Sequence, residues 1–328
     1  MTGAAPALII APKSRVDRIT DRSVREDDRK DRQGRRRRPT KADVDKYDAL
    51  IASLTKVHQV AFEPIDWDEI VETGPVAPSV ARDAVSQAAR RKLTQYRPSL
   101  MDSLLGREQE VRRALTAKVL AAGKADAALY AEAKAYAEEH NRLLRLAPDV
   151  RAMKPGAIAA AVKGRDGSSE LRDVLEGMAL DVVGARLVVR IDLMEFDALP
   201  DEAVVTSAVG PSFAKLSPVE RSELQLANAC SAALRAAVEV LEVAPADTVE
   251  LLARGLRPSG LSEADMDPVL YLKIPRAALK KLDLRKLDAA PIATAFAARI
   301  DWAAQRGLAP IRVDDLGLGV VGQRAAAA

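Results

Sequence analysis

A helix with both of its ends written into the sequence lies between Ser217 and Pro245, and it limits what the surrounding chain can fold into. Ser217-Pro218-Val219-Glu220 is a capping box: the serine oxygen and the glutamate carboxylate each satisfy an orphan amide of the first turn, and proline at the first helical position has no amide to lose. Leu226, Cys230, Leu234, Ala237 and Leu241 then recur at spacings of three and four, and Pro245 stops the run. The runs on either side have strand character. Ala185–Leu193 is dense in Val, Leu and Ile, Ala203–Val209 is shorter, and Thr248–Ala253 and Val269–Ile274 follow the helix. Two more helices, about Arg276–Leu284 and Ala290–Gln305, complete a β-β-α-β-β-α-α order.

Upstream of Pro148 the periodicity is helical. Thr40, with Asp43 three positions on, begins a helix whose stripe is Val44, Tyr47, Ile51, Leu54, His58 and Ala61. Phe62–Pro78 contains three prolines and reads as an irregular connection pinned by Trp67; a helix over Ser79–Gln95 follows, with breaks at Pro98 and Gly106. Val111, Leu115, Val119 and Ala122 form one stripe. After Gly123, Leu129, Ala133, Tyr136, His140, Leu143 and Ala147 form another, which predicts an antiparallel helical hairpin, the coiled-coil element of the chain. Two short helical pieces, Pro155–Val162 and Ser168–Gly177, lead into the strands.

The predicted class is therefore α+β. It comprises a helical domain over 41–147 with the hairpin, a mixed α/β domain over 148–313, a disordered basic arm over 1–40 and a flexible tail over 314–328. Charge separates the arm from the body: from Lys13 to Arg38 there are twelve Lys or Arg and six Asp or Glu, an excess of +6 in a chain whose net charge is +3, which leaves −3 for the remainder. With almost no apolar periodicity, such a segment cannot offset its ordering entropy locally. Arg35, Arg36, Arg37 and Arg38 close it and make it a candidate non-specific grip on nucleic acid or another polyanion. No aromatic residue interleaves to stack on bases. The single cysteine, Cys230, excludes an intramolecular disulfide and points to the cytoplasm, and no apolar stretch approaches the roughly 20 residues that span a bilayer.

Residues that could carry chemistry do not converge. Gly317-Leu318-Gly319-Val320-Val321-Gly322 matches a dinucleotide glycine pattern, but the sequence leaves no room for the helix, second strand and acid that the motif needs. His58 and His140 sit on apolar stripes and read as packed histidines, and Cys230 as a small core residue. Asp192, Glu263, Asp265 and Asp267 are the raw material for a metal-dependent hydrolase or nuclease; a calcium loop starting at Glu263 would need glycine where Pro268 stands. In a carboxylate-and-lysine nuclease built around Lys273, Tyr271 occupies the position of the acid. The Lys163–Ser168 loop lacks P-loop spacing. No catalytic residue, metal ligand or cofactor is assigned.

Ile65-Asp66-Trp67-Asp68-Glu69-Ile70, the helical hairpin, the Lys215–Ala253 segment with Asn228, Cys230, Leu234, Arg235 and Pro245-Ala246-Asp247-Thr248-Val249, and the Leu270–Leu284 strand and helix resemble an uncharacterised family of bacterial proteins. That family usually carries a small β-rich domain where this chain has its basic arm. The resemblance implies a shared two-part architecture and no activity or catalytic residue. The expectation is a non-enzymatic interaction or scaffolding protein that pairs with a partner or with its own copy through the hairpin. The alternatives are the hydrolase and an accessory nucleic-acid binder.

Overall fold

Both ends of the helix read at Ser217 form as the residues dictate. The Glu220 amide donates to Ser217 Oγ at 3.2 Å, the Ser217 amide to Glu220 Oε2 at 2.7 Å, and the helix runs from Pro218 to Val243. The structure is a computed structural model that describes residues 6–34, 38–104, 106–184, 186–208, 210–258 and 260–316.

In chain order the elements are β1 (Ala7–Ile10), α1 (Arg15–Gly34), α2 (Lys41–Lys56), α3 (Trp67–Thr73), α4 (Ala84–Thr94), α5 (Leu100–Leu104), α6 (Glu108–Arg151), α7 (Pro155–Lys163), α8 (Gly167–Arg172), β2 (Leu175–Val183), β3 (Arg186–Leu193), β4 (Glu202–Ser207), β5 (Gly210–Lys215), α9 (Pro218–Val243), β6 (Thr248–Leu256), β7 (Met266–Pro275), α10 (Arg276–Leu279), α11 (Ala289–Phe296), β8 (Ala297–Ile300), β9 (Trp302–Ala303) and β10 (Gly307–Leu308). The class is α+β. The chain divides into a helical unit, Asp66–Pro148, and a unit made of the residues on either side of it.

In the larger unit a six-stranded sheet has the order β1-β2-β3-β6-β7-β8, antiparallel except for the β3 and β6 pair. Parallel neighbours cannot be joined by a tight turn. The crossover between them carries α9, every residue of which is buried from Asn228 to Val243. It packs on β3 and β6 and is also contacted by α2, α7, α8 and α11. Alternation along the strands sorts the two sheet faces: Val189, Ile191, Leu251 and Ala253 are fully buried and apolar, while Arg190, Asp192, Glu250 and Arg254 lie on the opposite face. One end of that polar face is closed by Val188, Leu252 and Tyr271, on which Val183, Ile311, Val313 and Leu316 pack.

Several predicted elements are corrected. The hairpin is a single helix, α6, of 44 residues and about 66 Å. Gly123 lowers helix propensity without ending the helix, and a Cβ built there meets nothing within 4 Å. The arm is not structureless: β1 pairs antiparallel with β2, and α1 is a 20-residue helix. Their partners are tertiary, out of reach of a composition argument. Helix α2 begins as predicted at the Thr40–Asp43 capping box, yet it packs on α9, so the helical unit begins at Asp66 rather than at residue 41. The piece read as helical over Ser168–Gly177 stops at Arg172 and leads into β2. The strand read from Ala203 is observed as β4, Glu202–Ser207, the first arm of the β4–β5 hairpin, and Ala297–Ile300 leaves the predicted last helix to extend the sheet beside β7. Of the tail, Asp314–Leu316 form a 3-10 turn. The glycine pattern from Gly317 lies outside the described residues. Among the described residues no helix is long and apolar enough to cross a membrane.

In the helical unit, buried Asp126 caps α4 by accepting the amides of Val85 and Ser86, both at 2.8 Å, and Asn141 exchanges two hydrogen bonds with the backbone of Val76. Gly123→Ala should raise stability by about 1 kcal/mol, because alanine suits a continuous helix better than glycine. Denaturant unfolding of the two proteins followed by circular dichroism measures this, and a loss of stability would mean that the chain turns there.

Candidate functional site

Helix α1 carries Arg18, Arg22, Arg25 and Arg29 at spacings of four, three and four, which places all four on one stripe. That stripe faces acids of the same unit. Arg18, 1% exposed, lies 3.1 Å from Glu176 Oε2. Arg22 and Arg25 share Glu195 Oε2 at 3.1 and 2.5 Å, and Arg29 reaches Asp201 at 3.6 Å. Arg22 also donates to the Gly260 carbonyl at 2.7 Å, and Arg29 to the Asp197 carbonyl at 2.8 Å. Burial raises the Glu176 pKa, and Arg18 and Lys13 oppose that shift. The arm therefore spends much of its charge on its own body. Of the residues named for polyanion binding, Arg38 is exposed, and Arg35, Arg36 and Arg37 lie outside the described residues.

The polar face of the sheet holds two charged groups. Arg186 forms a two-point ion pair with Glu250, which also accepts from Tyr271 Oη at 2.7 Å. Burial opposes the Glu250 charge, but these donors hold its pKa below the ordinary glutamate value; burial and the same carboxylate push Tyr271 up to about 12. Farther along, Arg254 grips Asp192 Oδ1 through Nε at 2.8 Å and Nη2 at 2.7 Å. Glu263 Oε1 stands 3.4 Å from Arg190 and 3.5 Å from Arg254.

These contacts account for the four carboxylates proposed for metal chemistry. Asp192 and Glu263 face arginines, Asp267 is paired at two points with Arg257 at 2.7 Å, and Asp265 caps its own loop by accepting the amides of Leu261 and Ser262 at 2.9 Å. Among the described residues no three His, Cys, Asp or Glu side chains gather in a way that could hold a metal ion. Lys273 is exposed opposite Glu250 in the β6–β7 register.

His58, fully buried, accepts the Ser231 hydroxyl at Nδ1 and donates from Nε2 to the Leu287 carbonyl, both at 2.9 Å; burial lowers its pKa and keeps it neutral. His140 donates to the Gly74 carbonyl at 2.9 Å. Cys230 is fully buried, and burial pushes its thiol up to about 12, which removes it as a nucleophile.

The sequence reading missed the charges on α9. Arg235, Glu239 and Glu242 are each more than nine-tenths buried. Arg165, from the Lys163–Ser168 loop that lacks P-loop spacing, reaches both glutamates, and Arg235 pairs with Glu239 and Glu170 at 3.0 Å. A Cβ on Gly167 would lie 1.8 Å from Glu239 Oε1, so the network needs glycine at that position. The charged residues recur four and three apart on a helix that also carries an apolar stripe, and that spacing was the available signal. A cavity of about 130 Å³, lined by Leu193, Phe196, Leu199, Asn228, Leu256 and Val269 among others, is smaller than the roughly 300 Å³ at which sites for drug-sized ligands begin.

No family model matches the chain, and neither a curated protein nor a solved structure matches it.

Glu195→Gln should loosen α1, because Arg22 and Arg25 lose the charge they share. Limited trypsin cleavage within residues 15–34 should accelerate several-fold, and in the parent chain it should accelerate with added salt. Unchanged cleavage in both arms would show that ion pairs do not hold the helix. Asp265 titrates at about 2, chiefly through the Leu261 amide and the Ser262 side chain. Its cap stabilises fully above the unfolded value of 3.8 and is lost as the pH falls through about 2. A carboxyl NMR titration of Asp265 that gave an ordinary value would contradict this.

Proposed function

We propose that the chain is a non-enzymatic interaction or scaffolding protein whose helical unit pairs with a second copy of itself. The observation that carries this reading is the amino-terminal half of α6. Val111, Leu115, Val119 and Ala122 keep to one stripe there, but each is only partly buried, and Leu120 on the same stretch is 66% exposed. In α5, Leu100 and Leu104 are 86% and 80% exposed. Apolar side chains displayed on one helical stretch are the usual material of an association surface. A second copy would supply the packing that an intramolecular hairpin would have provided.

The larger unit supports a structural role, since its buried carboxylates are engaged by arginines or backbone amides and its cysteine is inert. The hydrolase reading loses support because Asp192 and Glu263 face Arg254, Asp267 is paired with Arg257 and Asp265 caps its own loop. The nucleic-acid reading loses support because four arginines of the arm face acids of the same chain. One free thiol and no disulfide suit work in the cytoplasm.

Sedimentation velocity over a range of concentrations should show a reversible dimer, and Leu115→Glu with Val119→Glu should weaken it at least about tenfold with helicity by circular dichroism unchanged. A strict monomer at every concentration would overturn the proposal.

A further inference from the structure

Two arginines on neighbouring strands converge on one carboxylate oxygen. Arg190 of β3 and Arg254 of β6 lie on the same face of the parallel pair, two positions apart in register, with side chains 9% and 7% exposed. Asp192 answers Arg254 at two points, and it has room to do so because a Cβ on Gly177 would come within 2.7 Å of Asp192 Oδ2.

Glu263 binds differently. Its Oε1 sits 3.4 Å from one guanidinium and 3.5 Å from the other, longer than the roughly 2.7–2.9 Å of a formed charge-assisted bond. Its side chain is 37% exposed and rides on the three-residue turn Glu263–Asp265. The frame of that loop is fixed without it, through the Asp265 cap, the Arg257–Asp267 pair and the Arg22 bond to Gly260. For a ligand oxygen to reach the point where the two guanidinium groups converge, the Glu263 side chain has to swing away. Burial, and after it the neighbouring Arg254, lower the Arg190 pKa, with Asp192 and Glu263 opposing.

We propose that Arg190 and Arg254 form a binding site for a small oxyanion, in which the Glu263 carboxylate is a tethered placeholder that the ligand displaces. The class follows from the donors: planar guanidinium forks match carboxylate and phosphate oxygens, and a carboxylate oxygen already occupies the point where they converge. Asp192 keeps its bonds to Arg254, so the ligand takes the place of the single Glu263 carboxylate, which favours an anion with few negative charges.

Calorimetric titration of the full chain with inorganic phosphate and, separately, with acetate, at ionic strength held constant with chloride, tests this. Glu263→Gln removes the competitor and should bind one of these anions at least about tenfold more tightly than the parent. Arg190→Gln in that background should abolish the gain. A gain with phosphate alone assigns a phosphate site, a gain with acetate alone a carboxylate site, and a gain with both a general oxyanion site. Should Arg190→Gln fail to fold by circular dichroism, Arg190→Lys keeps the charge without the fork and should still lose most of the gain. Equal affinity in the Glu263→Gln and parent proteins, or no saturable binding in either, would overturn the proposal. A purely structural ion pair would instead lower thermal stability in Glu263→Gln and leave anion affinity unmoved.

Discussion

A helix buried on every side has to be surrounded, and α9 sets that requirement for the larger unit. From Asn228 to Val243 no residue of it reaches solvent appreciably, so the sheet covers one flank and α2, α7, α8 and α11 are drawn to the others. Because Arg235, Glu239 and Glu242 lie within this stretch, the surrounding elements must bring charge as well as bulk. Arg165 and Glu170 do so from the loop after α7 and from α8. Removing one member of such a buried pair typically costs about 3–5 kcal/mol, far more than an exposed pair contributes. The small alanines of α9 let its neighbours approach closely, and a chain with 3% aromatic residues needs that close approach to fill its core.

The same logic extends outward. Charged side chains dock peripheral elements onto the body: the arginine stripe of α1 on Glu176 and Glu195, Arg186 on Glu250 and the Leu316 carbonyl, and Arg299 on Asp315. Buried carboxylates that would otherwise be candidates for acid-base work are thus committed to holding elements in place. The helical unit distributes its side chains differently. It uses polar caps at Asp126 and Asn141 to fix its short elements along α6 and leaves large apolar groups outside.

What could be read from the sequence followed the range of the interactions involved. The capping boxes at Ser217 and Thr40 act over three residues and were legible, as were strands around Val189, Leu251 and Leu272, whose β-branched and leucine-rich runs are local. The α1 helix was not, because its arginines find their acids on β2 and beyond β3, more than a hundred residues away. Gly123 misled because a glycine's effect depends on what surrounds it, and in α6 it stands in open space within a helix. The Arg190 and Arg254 pair was hidden for a related reason. Each arginine alternates with apolar residues as any strand residue does, and only the parallel register of β3 with β6 brings the two together.

Strand β1 sets Ala7 against Leu180, so the outer edge of β2 is covered by a segment very distant in sequence. Closing so large a loop costs little more free energy than closing a moderate one, since the entropy grows only with the logarithm of length, but pairings of high sequence separation are the slow ones to form. Until β1 arrives, β2 presents unpaired amides and carbonyls of the kind that recruit strands from other molecules. The amino-terminal strand and its helix thus serve as an edge guard, and the interval before they dock is when a refolding chain is most open to aggregation.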